Sequence, residues 1–215
     1  MKITCLTCGP VPLHSVTIYN DGLRKQKFSL SPILPTCNAC GLEVEVKGNT
    51  QGVKILLLNG TCGSGKSSTA EELVKSHGFV AIDGDNAMRV VESKLGGRRV
   101  GFESPEFLGE ISKEIDILSA VGRKIVISTV VEKEIEQYKD IFESKGMDYR
   151  IILLKPRYET AVKRTQTRTC FTSVTPEEWV RHFYDALDSD GVDVFDNSDL
   201  SVEQSAIDIL QLAFG

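Results

Sequence analysis

The stretch GTCGSGKSS at residues 60–68 constrains the fold more than any other part of this 215-residue chain. It contains the pattern G-x-x-x-x-G-K-S and lies between the apolar run VKILLLN and the helical pattern STAEELVKSHG. In a loop between a strand and a helix, successive backbone N–H groups form a concave anion site, and the helix N-terminus adds its positive end. The pattern therefore predicts a loop that holds a nucleoside triphosphate.

The residues of this loop are the predicted nucleotide contacts. Lys66 is expected to reach the β- and γ-phosphates, and the Ser67 hydroxyl is expected to be a ligand of Mg²⁺. Cys62 fills a variable position of the loop, although a thiol at a helix N-terminus can also be redox-active. The full set of predicted contacts is Gly60, Thr61, Cys62, Gly63, Ser64, Gly65, Lys66, Ser67 and Ser68.

Strand and helix patterns alternate from residue 53 to residue 215. Five short apolar strands lie between helical patterns, and they are VKILLLN, FVAID, KIVISTV, YRIILLK and VDVFDN. Short buried strands separated by helices favour a parallel sheet that is covered on both faces. We therefore predict an α/β domain over residues 53–215 with a five-stranded parallel sheet.

Two aspartates follow the second predicted strand, in the segment IDGDNAMR. Asp83 and Asp85 stand on either side of a glycine at the carboxyl end of that strand, where ligands bind in open α/β sheets. Phosphoryl transfer needs one carboxylate near the metal ion and one that accepts the proton of the attacking hydroxyl. The two aspartates can supply both. An Asp-Gly turn followed by a helix N-cap would give the same spacing, so that interpretation stays open.

Four of the six cysteines form two C-x-x-C pairs, each followed by a glycine. Four thiolates at this spacing can bind one tetrahedral Zn²⁺ ion, and cysteine pairs in a chain without a signal peptide suggest a metal before a disulfide. Four unrelated buried cysteines or a redox dithiol are the alternatives. The predicted zinc ligands are Cys5, Cys8, Cys37 and Cys40.

The residues between the two cysteine pairs support the same interpretation. NDG at residues 20–22 predicts a hairpin turn, which would return the ends of this segment to one place. The arrangement resembles a zinc ribbon. We therefore predict a small β zinc-ribbon-like domain over residues 1–47, joined to the α/β domain by the polar linker KGNTQG.

The segments GTCGSGKSS and IDGDNAMR together resemble the small P-loop kinases, a group that includes shikimate, gluconate and adenylylsulfate kinases and chloramphenicol phosphotransferase. LLLNGTCGSGKSS is especially similar to the chloramphenicol phosphotransferase loop, and DGDN is similar to adenylylsulfate kinase. The resemblance implies the P-loop nucleoside triphosphate hydrolase fold, an ATP-dependent kinase and a requirement for Mg²⁺. It also implies that Asp83 helps to hold Mg²⁺ and that Asp85 is the base or anchors the substrate.

Two sites depart from the pattern of these kinases. The arginine after DGDN comes one residue later than in adenylylsulfate kinase, and Arg89 is the substrate contact that the resemblance implies. The third strand, KIVISTVV, has no acidic residue at its end, so it offers no Walker B aspartate. In these kinases the metal ligand can come from the second strand instead, which implies that Asp83 holds Mg²⁺.

Two further segments resemble parts of the same kinases. KRTQTR is similar to the R-x-x-x-R segment of a mobile lid, which implies that Arg164 lies over the adenine and that Arg168 stabilises charge on the transferring phosphoryl group. An ordinary solvated basic helix face would show the same spacing. In FDNSDLSVEQ, Asn197 and Ser198 are candidate contacts to the adenine edge, and Ser201 is a predicted helix cap.

These observations favour an ATP-dependent kinase that moves the γ-phosphoryl group to a hydroxyl of a small molecule or nucleotide. A polynucleotide 5′-hydroxyl kinase is one alternative, with the zinc ribbon presenting a strand end. A non-catalytic, nucleotide-gated adaptor that binds a protein through the zinc ribbon is another. The hydroxyl acceptor itself is not identified by the sequence.

The distribution of charge bears on these alternatives. Residues 1–54 carry six Lys and Arg against three Asp and Glu, whereas the remaining 161 residues carry 19 against 27. An acidic main body is a poor binder of nucleic acid, so a nucleic-acid partner is possible but not favoured. No apolar run approaches the roughly 20 residues that span a bilayer, and the N-terminus lacks an apolar signal core. We therefore expect a cytoplasmic protein without a membrane partner.

Overall fold

The computed structural model describes residues 2–11, 16–17, 35–42, 44–120, 122–167, 175–187 and 191–215. Among the helices that these residues form, none combines the length and the apolar character that crossing a membrane requires. The strands are β1 (Lys2–Cys5), β2 (Gly9–Pro10), β3 (Val16–Thr17), β4 (Thr36–Cys37), β5 (Val44–Lys47), β6 (Lys54–Asn59), β7 (Val80–Asp83), β8 (Lys124–Ser128), β9 (Asp148–Leu154) and β10 (Asp193–Phe195). The helices are α1 (Lys66–His77), α2 (Gly84–Lys94), α3 (Pro105–Leu118), α4 (Ile135–Ser144), α5 (Tyr158–Thr167), α6 (Glu177–Ala186) and α7 (Val202–Phe214).

The central sheet contains five strands in the order β10-β9-β6-β8-β7, and every neighbouring pair is parallel. The first strand of this part of the chain, β6, lies in the middle, where Leu56 pairs with Val126 of β8 and with Arg150 of β9. The five predicted strands and the parallel sheet are therefore confirmed. The carboxyl end of β6 leads directly into the loop at residues 60–65.

Alternate side chains of β6 supply two separate apolar layers, one on each face of the sheet. Ile55 and Leu57 belong to the layer under α3 and α4, and Leu56 and Leu58 belong to the layer under α1 and α7. All four side chains are fully buried. A strand that is covered on both faces has no need for alternating polarity, which explains the continuous apolar run ILLL.

Short polar residues fix the helix starts around the sheet. The side chain of Asp83 accepts a hydrogen bond from Asn86 N at the start of α2, and Ser104 does the same for Phe107 N, with a proline next in the chain. Ser201 accepts from Gln204 N at the start of α7, which confirms the predicted cap. These caps satisfy N–H groups that the helices leave without an internal partner.

The N-terminal segment forms small antiparallel sheets. Strand β1 pairs with β2 and β5, and β3 pairs with β4. In β5, Val44 and Val46 are buried and belong to the same apolar layer as α3, whereas the residues between and after them are exposed. The hairpin turn predicted at residues 20–22 lies outside the described residues, and the division at residues 47–53 into two domains stays a prediction.

Candidate active site and metal centre

The predicted nucleotide loop connects the carboxyl end of β6 to the N-terminus of α1. The Lys66 ammonium group donates hydrogen bonds to Gly60 O at 2.6 Å and to Thr61 O at 3.0 Å, so it lies across the opening of the loop. Gly65 caps α1 without any side-chain hydrogen bond to the first turn. The N-terminus of α1 is therefore built as an anion site of backbone N–H groups with a lysine beside it.

Two glycines of the loop have conformations that other residues rarely adopt. Gly63 has a φ of 79° and Gly65 a φ of 97°. A Cβ atom on Gly63 would also overlap the carbonyl oxygen of Ala161 and lie 2.9 Å from Thr165 Cγ2, both on α5. The glycines thus permit both the turn and the close approach of α5, which covers the loop.

Asn59, the last residue of β6, connects the loop to the segment after β8. Its side-chain oxygen accepts hydrogen bonds from Gly60 N at 2.8 Å and Val131 N at 2.9 Å, and its amide donates to Val131 O at 2.7 Å. The side chain is 1% exposed. Asn59 therefore fixes the first residue of the loop against the neighbouring strand end.

The other side of the loop is held by the C-terminal third of the chain. The Thr61 hydroxyl donates to Val180 O of α6 at 3.1 Å. The Asn197 amide donates to Ser64 O at 2.9 Å, and Arg164 of α5 donates to Asn197 Oδ1 at 3.3 Å and to Asn197 O at 2.8 Å. The structure therefore brings Arg164 and Asn197 together at the loop, with both ends of the Asn197 amide bonded within the protein.

Asp83 lies at the carboxyl end of β7, beside Ser128 at the end of β8. The Ser128 hydroxyl is 3.4 Å from the hydroxyl of Ser67. The predicted metal ligand Ser67 therefore lies close to this strand end. Burial and then the negative charge of Asp85 raise the pKa of Asp83 from 3.8 to about 6, although the hydrogen bond from Asn86 N lowers it. A cation bound nearby stabilises the charged form of a buried carboxylate, so a metal ion would offset the effect of burial on Asp83.

Further carboxylates surround Asp83. Burial, and then the charge of Asp83, raise the pKa of Glu71 on α1. Glu114 on α3 is 3% exposed, and burial followed by the charges of Glu110 and Asp83 raises its pKa to about 8. Glu110 forms a 2.6 Å ion pair with Lys94 of α2. The Asp83 carboxylate and the Ser67 hydroxyl are hard oxygen donors, the type of ligand that Mg²⁺ prefers.

Gly84 separates the two aspartates and touches the next strand. A Cβ atom there would overlap the hydroxyl of Thr129 and lie 2.7 Å from Thr129 Cβ. This contact fixes Asp83 on the buried side, as the cap of α2, while Asp85 in the first turn is exposed. Asp83 is therefore a helix cap that lies at a strand end next to the loop, whereas the functions predicted for Asp83 and Asp85 in metal binding and proton transfer stay predictions.

The remaining predicted site residues have less definite surroundings. Arg89 is exposed on α2, and its guanidinium donates to Asn86 Oδ1 at 2.8 Å. Cys62 and Ser68 lie in the loop and the first turn of α1, with Cys62 half-buried and Ser68 exposed. Arg168 lies outside the described residues, so its predicted function in a lid stays a prediction.

The four N-terminal cysteines come together as predicted from their spacing. Their sulfur atoms all lie within 4.8 Å of one another, with Cys5 Sγ 3.4 Å from Cys40 Sγ and Cys37 Sγ 3.9 Å from Cys8 Sγ. Thiolates around a tetrahedral Zn²⁺ ion, with bonds of about 2.3 Å, lie about 3.8 Å apart, and a disulfide is far shorter at about 2.0 Å. The four residues therefore fit a zinc ion.

A backbone N–H group also stabilises charge on Cys5. The Cys8 N–H lies 3.4 Å from Cys5 Sγ, and hydrogen bonds of this kind lower the pKa of Cys5 to about 7, whereas the neighbouring sulfurs raise the pKa of Cys8 and of Cys40. Thiolates are the form that binds a metal. Among the described residues, this cluster is the one group of three or more His, Cys, Asp or Glu side chains whose ligand atoms lie close enough together to hold one metal ion.

The larger part of the chain matches a known protein family. The profile of the AAA domain family matches residues 55–182, which is more than half of the chain. The chain belongs to the AAA domain family. The matched residues include the nucleotide loop, Asn59, the DGD segment and α5, so the candidate site lies within the family domain.

Solved structures share the fold of this AAA domain family member. The tunicamycin resistance protein of Deinococcus radiodurans is 15% identical, with a TM-score of 0.59 over 75% of this chain and 95% of that chain. A gluconokinase from Sinorhizobium meliloti is 18% identical, with a TM-score of 0.55 over 78% and 95%. The APS kinase CysC of Mycobacterium tuberculosis is 18% identical, with a TM-score of 0.51 over 75% and 99%. No curated protein matches the sequence.

Several residues that hold the site are not evident from sequence patterns. Asn59 is a polar residue at the end of a buried apolar strand, a position that signals a specific hydrogen-bonding function. Glu110 and Glu114 lie beside the apolar positions 107, 111 and 115 of α3, so they look like the edge of a solvated face. The structure buries them because α2 packs across that edge.

Proposed function

We propose that this protein is an ATP-dependent kinase that transfers the γ-phosphoryl group to a hydroxyl of a small molecule or nucleotide. The observation that carries the proposal is the position of the DGD segment beside the nucleotide loop, with Asp83 next to Ser128 and Ser128 next to Ser67. A protein that only bound a nucleotide would need the loop and a metal ligand such as Asp83, but it would need no second carboxylate such as Asp85 beside them.

The nucleotide side of the site uses the loop and Lys66. The backbone N–H groups at the start of α1 would hold the β- and γ-phosphates, and Lys66 would exchange its bonds to Gly60 O and Thr61 O for bonds to phosphate oxygens. Ser67 and Asp83 would hold Mg²⁺, which neutralises negative charge on the phosphates. Arg164 and Asn197 support the loop from outside, and Arg168 would reach the transferring group when the lid closes.

The acceptor side of the site uses Asp85. The acceptor oxygen attacks the γ-phosphorus and forms a new P–O bond, while the bond between that phosphorus and the β–γ bridging oxygen breaks and ADP leaves. The proton of the hydroxyl passes to the Asp85 carboxylate. Asp85 is exposed in the first turn of α2, so it is accessible to a substrate, and Arg89 one turn later would contact the acceptor.

The comparisons support this reading of the site. A gluconokinase and an APS kinase share the fold of the AAA domain of this chain, and the APS kinase was solved with AMPPNP and APS. The APS kinase therefore holds a nucleotide analogue and APS in one complex. The position of the DGD segment at the carboxyl end of β7 supports a base for the acceptor in this segment.

We also propose that Cys5, Cys8, Cys37 and Cys40 bind one structural Zn²⁺ ion. The four cysteines leave no open position for a substrate, as in structural rather than catalytic zinc sites. A segment this short buries little apolar surface of its own, so metal binding would supply much of its folding energy. Zinc would therefore serve the structure and not the phosphoryl transfer.

The proposal is tested by incubating the purified protein with Mg²⁺, γ-labelled ATP and separate pools of acceptors. The pools are nucleosides, nucleotides, sugars, other hydroxylated metabolites and oligonucleotides with a 5′-hydroxyl. We expect label to be transferred to a small-molecule or nucleotide pool by the wild-type protein and not by Lys66→Ala. Transfer to the oligonucleotide pool alone would favour the polynucleotide kinase, and ATP binding without transfer to any pool would contradict the proposed function.

A further inference from the structure

The zinc-binding segment is packed onto helix α3. Strand β5 contacts α3, and its buried residues Val44 and Val46 share one apolar layer with Ile111 and Ile115 of that helix. Two of the four zinc ligands, Cys5 and Cys37, are themselves buried in this layer at 1% exposure each. The zinc site and α3 therefore share one continuous core, and the segment is not a separate arm.

The chain that follows β5 is held against the end of α3 as well. A Cβ atom on Gly48 would overlap Ser119 Oγ and Asp116 O and would lie 3.1 Å from Ala120 N. Asp116 O belongs to the helix backbone, so it has little freedom to move aside. The backbone at Gly48 therefore lies in direct contact with the last turn of α3.

The next residues are bound to the sheet domain by hydrogen bonds. Arg123 donates to Asn49 O at 2.7 Å and to Gln51 O, and the Thr50 hydroxyl donates to Lys145 O at 2.7 Å. Lys145 in turn forms a 2.7 Å ion pair with Asp116 of α3. Because these contacts hold the segment in place, we expect a shift of the zinc-binding segment to be passed on to α3.

Helix α3 also contacts β7 and α2, the two elements that meet at the DGD segment. Glu110 of α3 forms a 2.6 Å ion pair with Lys94 of α2, and the charge of Asp83 is one of the causes that raise the pKa of Glu114. Helix α3 therefore lies between the zinc segment and the two aspartates. The helices of the nucleotide side, α1 and α7, pack in the other apolar layer, on the far face of the sheet.

We propose that the zinc-binding segment positions α3, and through it the acceptor side of the active site, while the nucleotide side is independent of zinc. The consequence for the acceptor rests on the proposed function. Gly48 is a positioning residue in this scheme, because it allows the chain to lie against α3. The arrangement gives the zinc ion a function in the kinase without any contact between zinc and a substrate.

The test measures amide hydrogen exchange and binding in the full chain, with zinc and after a zinc-selective chelator in excess Mg²⁺. We expect zinc removal to speed exchange in α3 but not in α1, to leave unchanged the affinity for ATP in a separate titration without Mg²⁺, and to raise the KM of the acceptor. Coupling between sites is typically about 5- to 150-fold, so an increase of at least about fivefold in KM is expected.

A substitution makes the same test without removing the metal. Gly48→Ala is expected to speed exchange in α3 and to raise the acceptor KM while zinc stays bound. Gly109→Ala is the matched control, since Gly109 is also on α3 but an added Cβ meets nothing within 4 Å. Because alanine favours a helix more than glycine does, exchange in α3 of this variant is expected to be no faster than in the wild type, and its acceptor KM is expected to be unchanged.

Three results would overturn the proposal. The first is unchanged exchange in α3 after zinc removal, and the second is equal acceleration in α1 and α3, which indicates general unfolding. The third is faster exchange in α3 with an unchanged acceptor KM. If no acceptor is phosphorylated under any condition, the proposed function fails, and the exchange measurement still decides whether zinc positions α3.

Discussion

The side-chain amide of Asn197 donates a hydrogen bond of 2.9 Å to the carbonyl oxygen of Ser64, and so the loop after β10 holds the nucleotide loop from outside. Asn197 is 3% exposed, and its side-chain oxygen accepts from Arg164 of α5. The three residues form one chain of hydrogen bonds from the predicted lid helix to the phosphate site. We therefore expect Asn197 to affect nucleotide binding through its hydrogen bond to the loop.

Asn197→Asp separates the two functions of this amide. The substitution keeps the oxygen that accepts from Arg164 and removes the N–H that donates to Ser64. A buried carbonyl left without its partner costs about 1–3 kcal/mol, so we expect lower stability and weaker ATP binding. Calorimetric titration with ATP, together with urea unfolding, measures both. The exposed Asn49→Asp is the control, and equal ATP affinity in all three proteins would contradict the account.

Gly84→Ala is expected to abolish activity while the protein remains folded. The added methyl group overlaps Thr129 and must displace the DGD segment, which moves Asp83 and Asp85 together. Such overpacking costs about 1–3 kcal/mol of stability. Steady-state assay of phosphoryl transfer checks the loss.

A second substitution tests the cause of that loss. Thr129→Gly removes the two atoms that lie closest to the new methyl group, the hydroxyl oxygen and the Cβ atom of Thr129. Combined with Gly84→Ala, it is expected to restore part of the activity. A double variant as inactive as Gly84→Ala would show that contact with Thr129 is not what positions the aspartates.

Glu114→Gln is expected to stabilise the protein at high pH more than at low pH. Burial raises the pKa of Glu114 from 4.5 to about 8, so the folded protein holds this proton across a range in which the unfolded chain releases it. Stability therefore falls as the pH rises from 4.5 to 8, by about 1.4 kcal/mol per unit of pKa difference. Glutamine removes this penalty.

Urea unfolding in magnesium-free buffer at pH 5 and pH 8.5 measures the effect of Glu114→Gln. The gain in the free energy of unfolding should be small at the lower pH and largest at the higher one. Glu136→Gln, an exposed residue on α4, serves as the control. A gain that is the same at both pH values would mean that Glu114 is not held protonated by the fold.

Cys37→Ser is expected to lose zinc and to destabilise the N-terminal segment. Cys37 is buried at 1% exposure and is one of four sulfurs within 4.8 Å of one another. Three cysteines bind zinc more weakly than four, and the metal supplies folding energy to a small segment. Elemental analysis of the purified protein measures the zinc content. Cys62→Ser should keep a full complement of zinc, and zinc retained by Cys37→Ser would exclude the proposed site.

The parts of the structure that the sequence predicts are those with a local cause. Short apolar runs predict the five strands, and the spacing of glycines between a strand and a helix predicts the nucleotide loop. The two cysteine pairs likewise predict their own cluster, because C-x-x-C spacing brings two sulfurs to one point. Each of these features depends on residues that are neighbours in the chain.

The parts that the sequence does not predict depend on packing between distant segments. Asn197 and Ser64 are 133 positions apart, and no local pattern pairs an amide with that carbonyl. The segment KGNTQG was expected to be a linker from its polarity, yet Gly48 and Thr50 lie in fixed contacts with α3 and with Lys145. Polar, glycine-containing sequence permits close packing as readily as it permits a flexible connection.

The most direct test of the central claim is single-turnover transfer from γ-labelled ATP by wild-type protein and by Asp85→Asn, with the acceptor identified from the pools. General-base catalysis contributes about 10²- to 10⁴-fold, so we predict a loss of transfer in that range with unchanged ATP affinity. Glu92→Gln, on the same helix as Asp85, should transfer at the wild-type rate. Transfer by Asp85→Asn at the wild-type rate would contradict the assignment of Asp85 as the base and with it the proposed mechanism.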